Sequence, residues 1–197
     1  MAFRQIGAGS LLNPSPVVMV SCAREGGRPN IITLAWAGTV CTSPPMVSIS
    51  VRPQRYSFDL IADSGEFVIN LVGRDLMKAC DWCGVRSGRE EDKFTACGLT
   101  AVPAEGMRLA PAIAQAPAYL SCIVRERKAL GSHTLFLAEI VAVGIQEELF
   151  SPDGSMDLHR ADLVAYVHGE YAGLKTPEGF FGYSVARPQV LARRLRK

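Results

Sequence analysis

Apolar residues recur at every second position in several stretches of this chain, the pattern of a strand with one buried face. In Met46–Val51, Val47, Ile49 and Val51 alternate with Met46, Ser48 and Ser50, and Arg52 continues the polar set. Strand patterns run over Val17–Cys22, Ile31–Trp36, Met46–Val51, Phe67–Leu71, Tyr119–Arg127 and Leu135–Ile145. Within Asn30–Arg55 the pattern predicts two strands separated by a loop that carries Pro44-Pro45. Glu25-Gly26-Gly27-Arg28 and Leu130-Gly131-Ser132-His133 predict hairpin turns, because glycine supplies the positive φ such turns need. Helical patterns are few: Ser57–Ser64, Asp75–Cys83 and Glu91–Cys97. In the second, Leu76, Met77, Cys80 and Cys83 share one face. Many strands, tight connections and short helices predict a mainly β fold, an antiparallel barrel with appended helices.

A chain of 197 residues with 48% hydrophobic and 20% charged residues is expected to fold as one domain over 1–197. Its net charge of +2 calls for neither nucleic acid nor an anionic membrane, and no apolar run reaches the length of a membrane span. The basic run ARRLRK at the C-terminus is expected to be solvated. No secretory signal is evident, so the expected compartment is the cytoplasm and the six cysteines are expected to be reduced thiols, mostly buried.

Chemistry concentrates where the second strand meets the first helical pattern. Ser48, Ser50, Arg52, Arg55, Tyr56 and Ser57 gather hydroxyls, guanidinium groups and a helix N-terminus, the components of a phosphate site, with Ser87 and Lys93 further along. A plainer reading stands beside this one, with Ser57 as a helix cap and Arg52 and Arg55 as a solvated strand end. Trp36, Tyr56, Tyr166 and Tyr171 are either flat walls for a ring or ordinary core and interface aromatics. Cys80-Asp81-Trp82-Cys83 lacks the second close pair that structural zinc needs, and both sulfurs fall on the apolar helix face, so packing is expected; a redox dithiol remains open. His133, His159 and His168 have no metal-ligand spacing, and no hydrolase elbow, Walker loop or G-x-G-x-x-G is present.

The succession NIITLAWAG, PPMVSISVRPQRYSFDLI, GEFVINL, DWCGVRSGREEDKFTACGLT and GSHTLFLAEI closely resembles the flavin reductase-like, FMN-binding split-barrel family, in particular its flavoredoxin-type members. The resemblance covers essentially the whole chain in order. It implies a six-stranded antiparallel split β-barrel that binds FMN non-covalently as a homodimer, with the cofactor near the interface. On that basis Asn30, Thr33, Ala35 and Trp36 would edge the isoalloxazine. Ser50, Arg52, Tyr56 and Ser57 would hold the ribityl phosphate, with Ser87 and Lys93 closing over it. His133 would position a nicotinamide donor, and YVHGEYAGL would reach the flavin from the same or the other subunit.

The resemblance implies an oxidoreductase in which NADH or NADPH reduces the flavin, which passes electrons to an acceptor. The alternatives are an FMN electron carrier reduced by a protein partner, and a non-redox binding module that kept the barrel and lost the cofactor.

Overall fold

In the computed structural model the described residues are 1–174 and 177–194, so the last three residues of ARRLRK lie outside them. In chain order the strands and helices begin with β1 (Ser15–Pro16), β2 (Val18–Cys22), β3 (Asn30–Leu34), β4 (Ala37–Thr42) and β5 (Pro45–Val51). Next come α1 (Tyr56–Ser64), β6 (Glu66–Leu71), α2 (Met77–Val85), α3 (Lys93–Ala96), β7 (Ala101–Val102) and β8 (Ala112–Ile113). The long strands β9 (Ala118–Ala129) and β10 (Thr134–Ile145) follow, then β11 (Val164–Val167), β12 (Glu170–Gly173) and α4 (Pro188–Arg194).

Seven strands form one antiparallel sheet in the order β3-β2-β6-β9-β10-β5-β4. The sheet curls because β9 and β10 slip register between Leu137 and Ala138 and again between Ile140 and Ala142, and such bulges bend a ladder. Curling brings Ile32 of β3 into one buried cluster with Val47, Ile49 and Val51 of β5, from near opposite ends of the strand order. Helix α1 fills this interior with Leu60 and Ile61, and Phe58 packs edge-on against Phe136 at 5.5 Å between ring centroids. The result is a mainly β split barrel with short helices: the alternation predicts the antiparallel barrel with appended helices, and the family resemblance implies the split.

The sheet buries residues on its other side too. Met19 and Ile31 face outward from the barrel onto Leu76, Cys80, Cys83 and Phe94. All five residues of β2 are therefore buried, which is why its sequence VMVSC shows no alternation. The α2 face predicted from spacing is the one that packs here.

Within the large sheet one strand was not predicted, and outside it the short strands β1, β7, β8, β11 and β12 were not either. The expected strand Ile31–Trp36 stops at Leu34, and Ala37–Thr42, expected as part of a loop, is β4. An edge strand has no burial alternation to reveal it, and Thr39, Val40 and Thr42 are exposed. The barrel's two edges, β3 and β4, are thus consecutive in the chain and joined only by Ala35-Trp36. Ser50 N–H donates to Trp36 O at 2.9 Å, tying this crossing to β5. The split falls at this crossing.

No helix among the described residues is long and apolar enough to cross a membrane. Phe136 has no exposed surface and supports both the sheet and α1. Phe136→Ala is expected to cost about 3–5 kcal/mol, read by urea denaturation of the purified protein.

Candidate functional site

The split opens into two connected chambers. The wider is a cavity of about 580 Å³ that includes Ile32, Thr33, Leu34, Ala35 and Trp36 of the crossing in its wall. The narrower is a recess of about 90 Å³ at the start of α1. Ile32 and Arg55 line both, so the two are parts of one cleft.

The recess is lined by Asn30, Tyr56, Ser57, Ser87, Gly88 and Lys93, with Arg55 at its junction with the cavity. The motif Asp92-Lys93-Phe94 assigns three neighbours three tasks. Asp92 caps α3 by accepting from Thr95 N–H at 3.2 Å, and Phe94 enters the outer core. Lys93 turns inward, 3% exposed, and its ammonium donates to Ile31 O at 2.7 Å and Cys83 O at 2.6 Å. Burial lowers its pKa from 10.5, against the raising effect of the nearby thiols. Among the described residues no carboxylate forms an ion pair with Lys93, Arg52 or Arg55.

Other recess groups keep donors in hand. Ser87 Oγ accepts from Arg89 N–H at 3.2 Å, which leaves its hydroxyl proton free to donate elsewhere. The first backbone N–H groups of α1 have no acceptor within the helix. Asn30 is anchored by donating to Ser57 Oγ at 2.7 Å. Gly88 lies so close that an added Cβ would overlap the Asn30 amide and approach Tyr56 Cδ1 to 2.8 Å. Only glycine lets the loop backbone reach this depth. Cations, free hydroxyls and a helix start around a small recess suit a phosphate.

The cavity has a different character. Trp36, 48% exposed, lies 4.4 Å from His133 between ring centroids, and both line it with Ser50 and Arg52. His133 has a lowered pKa, through burial first and Arg52 second, so its imidazole is neutral near pH 7. Opposite elements supply Tyr166, His168, Gly169 and Tyr171 of the β11–β12 hairpin. Tyr171 O–H donates to Asp81 Oδ1 at 3.0 Å, and burial with this bond raises its pKa. The segment Ser10–Val17 closes one side, held where β1 pairs with β11 and where His168 N–H donates to Asn13 Oδ1 at 3.1 Å. Flat side chains around a cavity of this size suit a planar ring.

The structure redistributes the residues singled out from the sequence. Thr33, Ala35, Trp36, Ser50, Arg52 and His133 meet in the cavity. Asn30, Tyr56, Ser57, Ser87 and Lys93 meet in the recess. Asn30, associated above with the ring, therefore stands among the phosphate-type groups, and Ser50 and Arg52, associated with the phosphate, face the wider space. Ser57 does not cap α1: the N-cap position is Arg55, and Ser57 is buried. Tyr166 and Tyr171 are cavity walls as well as an edge-to-face pair. Gly88 and the Ser10–Val17 segment had no signal, since a glycine in a polar loop looks alike in any protein and the proline-punctuated run SLLNPSPV has neither strand nor helix period.

Cys80 and Cys83 do not face each other as a dithiol. Cys80 Sγ contacts Thr33 Oγ1 at 3.8 Å, whereas Cys83 Sγ contacts Cys97 Sγ at 3.8 Å. Burial pushes Cys80 up to about 11 and, with Cys97 beside it, Cys83 up to about 12. Both thiols stay protonated near neutral pH, and only thiolates attack. No group of three or more metal-ligating side chains occurs among the described residues.

Residues 10–175 match the model of the flavin reductase like domain. The flavoredoxin of Desulfovibrio vulgaris (Miyazaki F) superposes with a TM-score of 0.84 at 31% identity, covering 91% of this chain and 97% of that one. An uncharacterized protein of Archaeoglobus fulgidus is 33% identical over 116 residues, 59% of this chain and 65% of that protein, slightly under two thirds of its length. The reductase component of a 4-nitrophenol 4-monooxygenase/4-nitrocatechol 2-monooxygenase from Rhodococcus opacus is 28% identical over 127 residues, 64% of each chain. With the domain match spanning most of its length and a split barrel underneath, this chain belongs to the flavin reductase-like family.

Proposed function

We propose that this protein is an FMN-binding oxidoreductase that takes electrons from NADH or NADPH and passes them to an acceptor. The observation that carries the reading is the buried Lys93 ammonium, held by two carbonyls and without a carboxylate partner among the described residues. A buried cation of this kind is stabilised by an anion. The residues suit FMN: Lys93, Arg55, Ser87 and the start of α1 would hold its phosphate, and Thr33, Ala35, Trp36, Ser50 and Arg52 would line the ring. When bound, FMN supplies hydride acceptance and electron transfer.

The chain's own residues orient and shield. Lys93 and Arg55 compensate phosphate charge at one end of the cleft. Neutral His133 against Trp36 offers a flat surface at the cavity mouth for a nicotinamide. The β11–β12 hairpin and the Ser10–Val17 segment cover the cavity from the opposite side. A homodimer belongs to the same reading, supported by exposed Trp36 and Val40 beside the split; light scattering would measure it.

A second reading, an FMN carrier reduced by a partner protein, is favoured by the likeness to the flavoredoxin of Desulfovibrio vulgaris. An absorbance spectrum of protein equilibrated with FMN, followed by anaerobic NADH and then NADPH, separates the two. Prompt bleaching with either nucleotide is the expected result. Bound flavin that stays oxidised selects the carrier, and no FMN uptake rejects both.

Lys93→Met is expected to weaken FMN binding about 10- to 100-fold, as for loss of a charged hydrogen bond, with riboflavin affinity little changed in fluorescence titrations. The lowered pKa of Lys93 also sets a pH dependence. Phosphate favours the protonated amine, so binding takes up a proton between the lowered value of the free site and the higher value of the complex. FMN affinity is therefore expected to fall as pH rises through that window, while riboflavin affinity follows no such step. Between the lowered value of the folded free protein and the ordinary 10.5 of the unfolded chain, the free protein gains stability with rising pH, because the unfolded chain retains the Lys93 proton longer than the folded one.

Cys80→Ala with Cys83→Ala is expected to leave flavin turnover unchanged. A large loss of steady-state rate in a folded double variant would restore the dithiol relay.

A further inference from the structure

The loop that carries Ser87 and Gly88 into the recess runs between α2 and α3 without joining the sheet. Its own bonds are local: Glu90 N–H and Glu91 N–H donate to Ser87 O at 3.2 and 3.0 Å. Two arginines fasten it, one from within the loop and one from outside it. Arg89, within the loop, reaches outward to Asp59 of α1 at 3.7 Å and lies over the Tyr56 ring at 5.3 Å from its centroid. Arg28, from the β2–β3 hairpin, donates through Nη2 to Gly88 O at 2.9 Å and Glu91 O at 3.2 Å.

Arg28 lines neither chamber. One acceptor is Gly88 itself, and the other belongs to Glu91, whose N–H is bonded to Ser87 O, so both contacts tie Arg28 to the part of the loop that carries Ser87 and Gly88 to the recess. Gly88 is packed against Asn30 and Tyr56 with no room for a side chain, so the closed loop is a tight fit that needs holding. The hairpin carrying Arg28 is rigid at its base, where Cys22 pairs with Asn30. Through this one guanidinium, the strand that supplies Asn30 to the recess floor also holds the recess wall.

We infer that Arg28 is a positioning residue that keeps the Ser87–Gly88 wall closed and thereby gives the site its preference for a phosphorylated flavin over the unphosphorylated one. The inference rests on the reading of the recess as the phosphate end of the flavin site. A wall ordered before binding contributes affinity by removing an ordering cost, and only the ligand that reaches the wall benefits. Lysine at this position keeps the charge but ends one bond short of the guanidinium nitrogen that makes both contacts, so it separates clamping from mere positive potential.

The test is paired titration of FMN and riboflavin against wild-type protein, Arg28→Ala and Arg28→Lys, with a thermal melt of each. Wild type is expected to prefer FMN. Arg28→Ala is expected to lose about tenfold of FMN affinity, the equivalent of about 1.4 kcal/mol, with riboflavin affinity and melting temperature unchanged, and Arg28→Lys to restore less than half of that loss on a logarithmic scale. Faster hydrogen exchange across residues 86–92 in Arg28→Ala would support the same conclusion. Full FMN preference in Arg28→Ala overturns the inference and leaves the phosphate recess standing. Equal weakening of both ligands, or complete rescue by lysine, overturns it as well, in favour of a general structural or electrostatic role. A wild-type protein that does not distinguish the two flavins overturns the recess reading itself, and the inference with it.

Discussion

A buried ammonium governs this site. Removing a lysine head group from water is costly, and two neutral carbonyls offset only part of that cost. Lys93 is nonetheless driven inward because its neighbours leave no choice: Asp92 is committed to capping α3 and Phe94 to the outer core. The carbonyls it reaches belong to Ile31 in β3 and Cys83 in α2, so one side chain of α3 joins the sheet to a second helix at the recess. Among the described residues that arrangement leaves the positive charge uncompensated, as an ion pair with a carboxylate would not.

The barrel's opening gives this charge a place to act. A closed barrel would spend its edges on each other; here β3 and β4 leave a gap bridged by Ala35-Trp36, and the cleft follows the gap. Strands β2 and β3 are packed on both faces, which makes one lip of the cleft stiff. The other side is lighter, made of the β11–β12 hairpin and the Ser10–Val17 segment tied by a few hydrogen bonds. Stiff and light sides facing each other suit a ligand that must be held at one end and reached by a second molecule at the other.

Charge is graded along the cleft. Arg55 stands at the junction of the chambers, and Arg52 lies in the wider one near His133. Partial burial and, after it, the positive Arg52 hold His133 neutral, so the cavity mouth presents imidazole and indole surfaces rather than a second cation.

How much of this was legible in the chain follows from the range over which each interaction acts. Period-two alternation exposed β5 and its polar outer face, and the Gly26 and Gly131 turns marked two hairpins, because these depend on neighbours a few residues apart. The ordered motifs carried the family and with it the pool of site residues. Edge strand β4 stayed hidden since nothing buries it periodically, and β2 gave no alternation because one of its faces is covered by α1 and the other by α2, both more than thirty residues away. Which residues share a chamber was likewise undetermined: Asn30 and Lys93 are brought together by a curled sheet and a returning helix, while Ser50 and Arg52 are turned into the wider space by the course of β5. Local pattern determined which residues were polar, exposed and available. Only the closing of the sheet on itself, through contacts distant in sequence, decided which of them meet.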